Sequence, residues 1–108
     1  MKRVLFDEDV PRQLRRELPG FEIKTVPEVG WSGLKNGDLL RRAEGLFDVF
    51  VTADRRLPSQ QNLATFAIGM VVLVAGSTKL EDLRPHLAEL RRAIEVVQPR
   101  QLLLVPTQ

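Results

Sequence analysis

Four stretches of this chain carry almost no polar side chain: Val4-Leu5-Phe6, Val49-Phe50-Val51, Ile68 to Val74, and Leu102 to Val105. A strand with one face in water alternates apolar and polar residues. A short unbroken apolar run suits a strand buried on both faces, as in a parallel sheet covered by helices. The segments between the runs have helical spacing. Val10, Leu14 and Leu18 form one such set, and Leu39, Leu40, Ala43 and Leu46 a second. Leu80, Leu83, Leu87, Leu90, Ile94 and Val97 form a third. Phe21 to Val26 alternates, with Phe21, Ile23 and Thr25 on one side, and reads as a further strand. Strands alternating with helices imply crossover connections. The expected fold is α/β, with a mostly parallel central sheet of about five strands and helices on both faces.

Local signals place the boundaries. Pro11 suits a first helical turn, with Asp9 as its N-cap, and Pro19-Gly20 ends that helix. Asn36 reads as the N-cap of the second helix. Pro58 to Phe66 can hold a short helix. Ser77-Thr78 before Glu81 reads as a capping box for the last helix, which Pro85 should kink or restart.

At 108 residues the chain is one domain, residues 1–108. It has no cysteine, which excludes disulfides and thiolate metal sites and fits a reducing cytoplasm. Three apolar residues after Met1-Lys2-Arg3 are too few for a secretory leader, and no run is long enough to span a membrane. The sequence pI is 9.5 although the formal net charge is only +2. The arginine pairs Arg15-Arg16, Arg41-Arg42 and Arg91-Arg92 fall where helices show a solvated face. Arg55-Arg56 differs, because it follows directly on a candidate site.

That site is made of acids. In open α/β sheets ligands bind beyond the carboxyl ends of the strands. Asp7 and Glu8 stand at the end of the first strand, Asp54 just past the third, and Asp38 in the first turn of the helix leading into the third. Carboxylates gathered at one edge repel unless a cation or proton intervenes. Hard divalent ions such as Mg²⁺ and Mn²⁺ prefer such oxygen donors. Asp7, Glu8, Asp38 and Asp54 are therefore the expected metal ligands, with Glu8 equally able to face solvent and Asp38 to serve only the positive end of its helix. Thr52 either orients a neighbouring carboxylate with its hydroxyl or is simply a β-branched strand residue. Gln60, Gln61 and Asn62 either touch a sugar or phosphate or cap a short helix. Trp31, in a glycine-flanked loop, either stacks on a base or plugs the core. Asp48 and Asp82 lie away from this edge, and His86 reads as surface.

Three blocks carry a resemblance: Leu5-Phe6-Asp7-Glu8-Asp9-Val10-Pro11; Gly30-Trp31 with Asn36-Gly37-Asp38-Leu39-Leu40; and Val51-Thr52-Ala53-Asp54-Arg55-Arg56-Leu57 with Gln61-Asn62. Together they resemble the small PIN-like proteins of the DUF5615 group over nearly the whole chain. PIN domains are α/β nucleases that hold Mg²⁺ or Mn²⁺ with a few acids and cleave RNA, and many are toxins neutralised by a neighbouring antitoxin. The resemblance implies a metal-dependent endoribonuclease with Asp7, Asp38 and Asp54 as catalytic acids. Thr52 matches the hydroxyl residue before the last acid, and Asn62 stands roughly where larger PIN domains have a further acid. Arg55 and Arg56 would meet the phosphate backbone. RNA is the implied substrate, and an antitoxin or a second copy of the chain the implied protein partners.

Two other readings use the same residues. One is a PIN-like module that binds RNA without cleaving it. The other is a phosphoacceptor receiver domain, which also has acids after its first and third strands. A receiver needs a lysine after its fifth strand, whereas this chain has no lysine after Lys79.

Overall fold

Each apolar run becomes a strand; the first three bury side chains on both faces of the sheet, while Leu102, Leu103 and Leu104 of the last are only half-buried at its edge. A computed structural model describes residues 1–107. Among these residues the strands are β1 (Arg3–Phe6), β2 (Glu22–Thr25), β3 (Val49–Thr52), β4 (Gly69–Leu73) and β5 (Leu102–Val105). All pair in parallel, in the order β2-β1-β3-β4-β5. The helices are α1 (Asn36–Ala43), α2 (Leu57–Gln60), α3 (Leu80–Leu83) and α4 (Leu87–Val96), joined by 3₁₀ turns at Arg12–Glu17, Leu63–Thr65 and Arg84–His86.

The alternation of side chains sorts the core into two layers. Val4, Phe6, Val49, Val51, Val71 and Leu73 pack on one face under Leu14, Leu83, Leu90 and Ile94. Leu5, Phe50 and Met70 pack on the other under Leu39, Leu40 and Leu57. Strands β3 and β4 are buried at every position, which is why their sequences do not alternate. Edge strand β2 does alternate, with Ile23 and Thr25 inside and Glu22 and Lys24 outside.

Several boundaries differ from expectation. The segment after Pro11 is a 3₁₀ helix rather than an α-helix, and Pro11 itself occupies its N-cap position. Asp9 is therefore not a cap. Asn36 is the first residue of α1, with Lys35 as its cap. The capping box before α3 does not form: Lys79 is the cap, and Ser77 accepts the Lys79 N–H in a local turn. Pro85 does divide the last helical stretch, as a 3₁₀ turn between α3 and α4. Trp31 packs edge-on to Phe47 at 6.1 Å beside the second core layer, half-buried rather than stacked in solvent.

The strand order decides where a ligand can sit. From β1 the chain goes to one side for β2 and returns to the other for β3. The crevice between neighbouring carboxyl ends at such a reversal is the usual binding position in open α/β sheets. Here it lies between the ends of β1 and β3. No helix among the described residues is long and apolar enough to cross a membrane.

Candidate functional site

Asp7 leaves β1 at this crevice, its N–H still paired with the Val51 carbonyl of β3 at 2.9 Å. The Asp7 carboxylate is held on both oxygens. Oδ1 accepts the Glu8 N–H at 2.8 Å and Oδ2 accepts the Thr52 hydroxyl at 2.7 Å. Thr52 is buried at the end of β3, and its Oγ1 in turn accepts the Asp54 N–H at 3.1 Å. One hydroxyl thus orients Asp7 and ties it to the backbone of Asp54. A buried hydroxyl without partners would be costly, and this relay satisfies it in both directions.

Asp9 joins the group. The chain turns after Asp7, with the Val10 N–H on the Asp7 carbonyl, and Asp9 Oδ1 accepts the Ala53 N–H at 3.1 Å. Partial desolvation of its carboxyl raises the Asp9 pKa, although the residue as a whole stays exposed. The Ala53 N–H opposes that rise, and the charges of Asp7 and Asp54 add to it. The signal in the sequence was a further acid two residues past Asp7 at the same strand end.

Asp54 has a different electrostatic setting. Desolvation pushes its pKa up, but the side chain and backbone N–H of Arg56, with Asn36, outweigh it and hold the carboxyl below its ordinary value. Arg56 donates to Asp54 Oδ1 from its backbone at 2.9 Å and from Nε at 3.2 Å. Asn36 also donates to Gln60, at 3.5 Å, and Gln61 lies against Gly37. The glutamines thus join α2 to the start of α1 beside Asp54.

The remaining expected residues lie around this centre. Glu8 Oε1 accepts the Gly33 N–H at 3.4 Å. Asp38 is exposed in the first turn of α1. Asn62 is exposed, and its carbonyl caps the turn at Leu63–Thr65. Arg55 braces the end of β4 by donating to the Val74 carbonyl at 2.9 Å. Asp48 lies at the opposite edge, paired with Arg3 at 3.3 Å.

This arrangement bears on a divalent ion in two ways. The donors are hard oxygens, the right chemistry for Mg²⁺ or Mn²⁺. Among the described residues, however, no three acidic or histidine side chains stand close enough to enclose an ion. An ion held here would therefore keep much of its water and take one or two carboxylates, as Mg²⁺ commonly does beside a substrate phosphate. The residues do not form a closed cage. No protein-family model, curated protein or solved structure matches the chain, so its assignment rests on these residues and their geometry.

Proposed function

We propose that this chain is a PIN-like endoribonuclease that works with Mg²⁺ or Mn²⁺. The observation that carries the reading is the hydrogen-bonded relay Asp7–Thr52–Asp54, with Asp9 drawn beside it, at the reversal point of the sheet. Asp7 and Asp54 would hold the ion, with Asp9 as a further oxygen donor and Asp38 at the rim. Such an ion supplies a more acidic bound water and charge stabilisation at a phosphate. Thr52 keeps Asp7 in one orientation, so that its carboxylate need not reorganise on binding. Asp9, whose pKa is raised, can take up a proton more readily than an ordinary aspartate at this edge. Arg56 neutralises Asp54 in the free protein and, being mostly exposed, can swing to a phosphate when a cation replaces it. The toxin role, with an antitoxin partner, is the biological setting this reading suggests.

A receiver-like phosphoacceptor is the second reading, favoured by the strand order and by acids after β1 and β3. Against it, Val105 stands before Pro106 at the end of β5, where a receiver requires lysine, and no lysine follows Lys79. One comparison separates the readings: the protein with RNA and Mn²⁺, with RNA and EDTA, and with acetyl phosphate. Mn²⁺-dependent cleavage that disappears in Asp7→Asn and in Asp54→Asn is the expected result. Full cleavage by either folded variant overturns the assignment of the acids. A phosphorylated Asp54 supports the receiver, and RNA binding without cleavage the non-catalytic module.

A further inference from the structure

A cleft of about 380 Å³ opens on the same edge of the sheet. Ala53, Leu73 and Ala75 line it with small or apolar groups, and Arg55, Ser77 and Thr78 line it with donors. It adjoins the acids through Ala53, whose N–H holds Asp9. No carboxylate lines the cleft, so the charge of Arg55 is not cancelled within it. One terminal nitrogen of Arg55 is anchored on the Val74 carbonyl. The other N–H groups of its planar fork remain for a ligand. Ser77 Oγ accepts the Lys79 N–H at 3.1 Å, which leaves its hydroxyl proton to donate. Gly76, at φ 83°, makes the turn that brings Ser77 and Thr78 over the end of β4.

A fixed guanidinium with two hydroxyls and no opposing acid is complementary to phosphate oxygens. The volume exceeds one phosphate and falls at the lower end of the range for small-ligand pockets, about 300–1,000 Å³. The apolar floor suits the face of a sugar or base. We propose that this cleft holds a phosphodiester and its attached nucleoside on a single RNA strand, next to the bond that the acids act on. The substrate class rests on the ribonuclease reading; the cleft and its donors do not.

The test measures binding of a labelled single-stranded oligoribonucleotide in EDTA over a salt series, where cleavage plays no part. Arg55→Ala should weaken binding about tenfold, the loss of a charged hydrogen bond. It should also reduce the slope of log affinity against log salt by about one. Thr78→Glu leaves the Arg55 anchor intact and should abolish binding by placing a carboxylate in the cleft. Gln98→Glu, near the opposite edge of the sheet, is the charge control and should bind almost as wild type does. If Arg55→Ala does not fold, Thr78→Glu against Gln98→Glu decides. Equal binding by those two variants overturns the proposal, as does a wild type that binds no RNA. If RNA binds through the cleft yet Mn²⁺ produces no cleavage, the cleft stands and the nuclease reading falls.

Discussion

Asp9 and Asp54 lie within one cluster, yet their carboxyls are shifted in opposite directions. Repulsion alone would raise both. Asp54 escapes because Arg56, two residues on, supplies a counter-charge and two donors. Asp9 is desolvated, has only backbone N–H groups and no counter-charge to oppose that, and feels both neighbouring acids. A carboxyl whose folded pKa is raised binds its proton more tightly in the native state. Stability therefore falls as pH rises from about 4, the unfolded value, to the raised folded value, and the cost persists above it. Asp9→Asn keeps an oxygen for the Ala53 N–H and removes the charge. It should melt at the same temperature as wild type or higher at pH 7, with the advantage fading toward pH 4. Asp54→Asn should do the reverse. Its lowered pKa marks stability that is present above the unfolded value and lost as pH falls through the folded one. Thermal melts of both variants at the two pH values check this pair of signs, and a lower melting temperature for Asp9→Asn at pH 7 would sink it.

At the scale of elements, the site depends on strands and helices meeting at close quarters. Strand β4 begins at Gly69, whose N–H pairs with the Asp48 carbonyl of the loop before β3. A Cβ on Gly69 would lie 2.8 Å from Val97 Cγ1 and 3.1 Å from the Gln98 carbonyl oxygen. The Val97 methyl can rotate away, but the Gln98 carbonyl is fixed by its turn to the Gln101 N–H, so the glycine is required by close approach rather than by an unusual φ. Gly69→Ala should cost about 1–3 kcal/mol, as overpacking of a filled core does. Urea unfolding measures it, and a loss under about 0.5 kcal/mol, the scatter of ordinary surface changes, would show that the end of α4 yields. Because Gly69 is at the edge away from the acids, cleavage at a temperature well below melting should be unaffected. The helices over the crevice are short: α2 has four residues and the segment after Pro11 is a 3₁₀ helix of six. Tertiary packing of Leu14 and Leu57, both almost wholly buried, holds these segments, since isolated helices this short are not stable in water.

For the molecule as a whole, the proposed ion is a matter of linkage. A ligand that binds only the native state stabilises it by about 2.7 kcal/mol at a free concentration a hundredfold above its dissociation constant. For a domain of this size that is an increase of roughly 10 °C in melting temperature. Wild type should show this rise across a Mn²⁺ series, while Asp7→Asn, which loses a charged donor held by Thr52, should lose most of it. Equal shifts in the two proteins would mean that Mn²⁺ binds elsewhere.

The unbroken apolar runs and the helical spacing between them determined that the chain forms an α/β fold with a sheet covered on both faces, because a strand with a wet face alternates; the half-buried edge strand β5 is the exception. The positions of Asp7 and Asp54 were legible too, because an acid directly after such a run has few structural uses, whereas Thr52 read equally as a β-branched strand residue, and only the fold brings its hydroxyl to Asp7. Strand order was not legible. It depends on which of several parallel pairings buries the most surface, a competition among segments up to a hundred residues apart. The partners of each carboxylate were decided later still. Asp9 was legible as a helix cap because aspartate before a proline-led helix usually is one, but the turn after β1 carries it to the Ala53 N–H, 44 residues away. Glu8 and Asp38 shared the same edge in sequence terms, yet one turns to Gly33 and the other stays in solvent. Position along a strand sets which edge a side chain occupies. Hydrogen bonds of about 3 Å set which neighbour it meets, and these exist only once the chain has closed on itself.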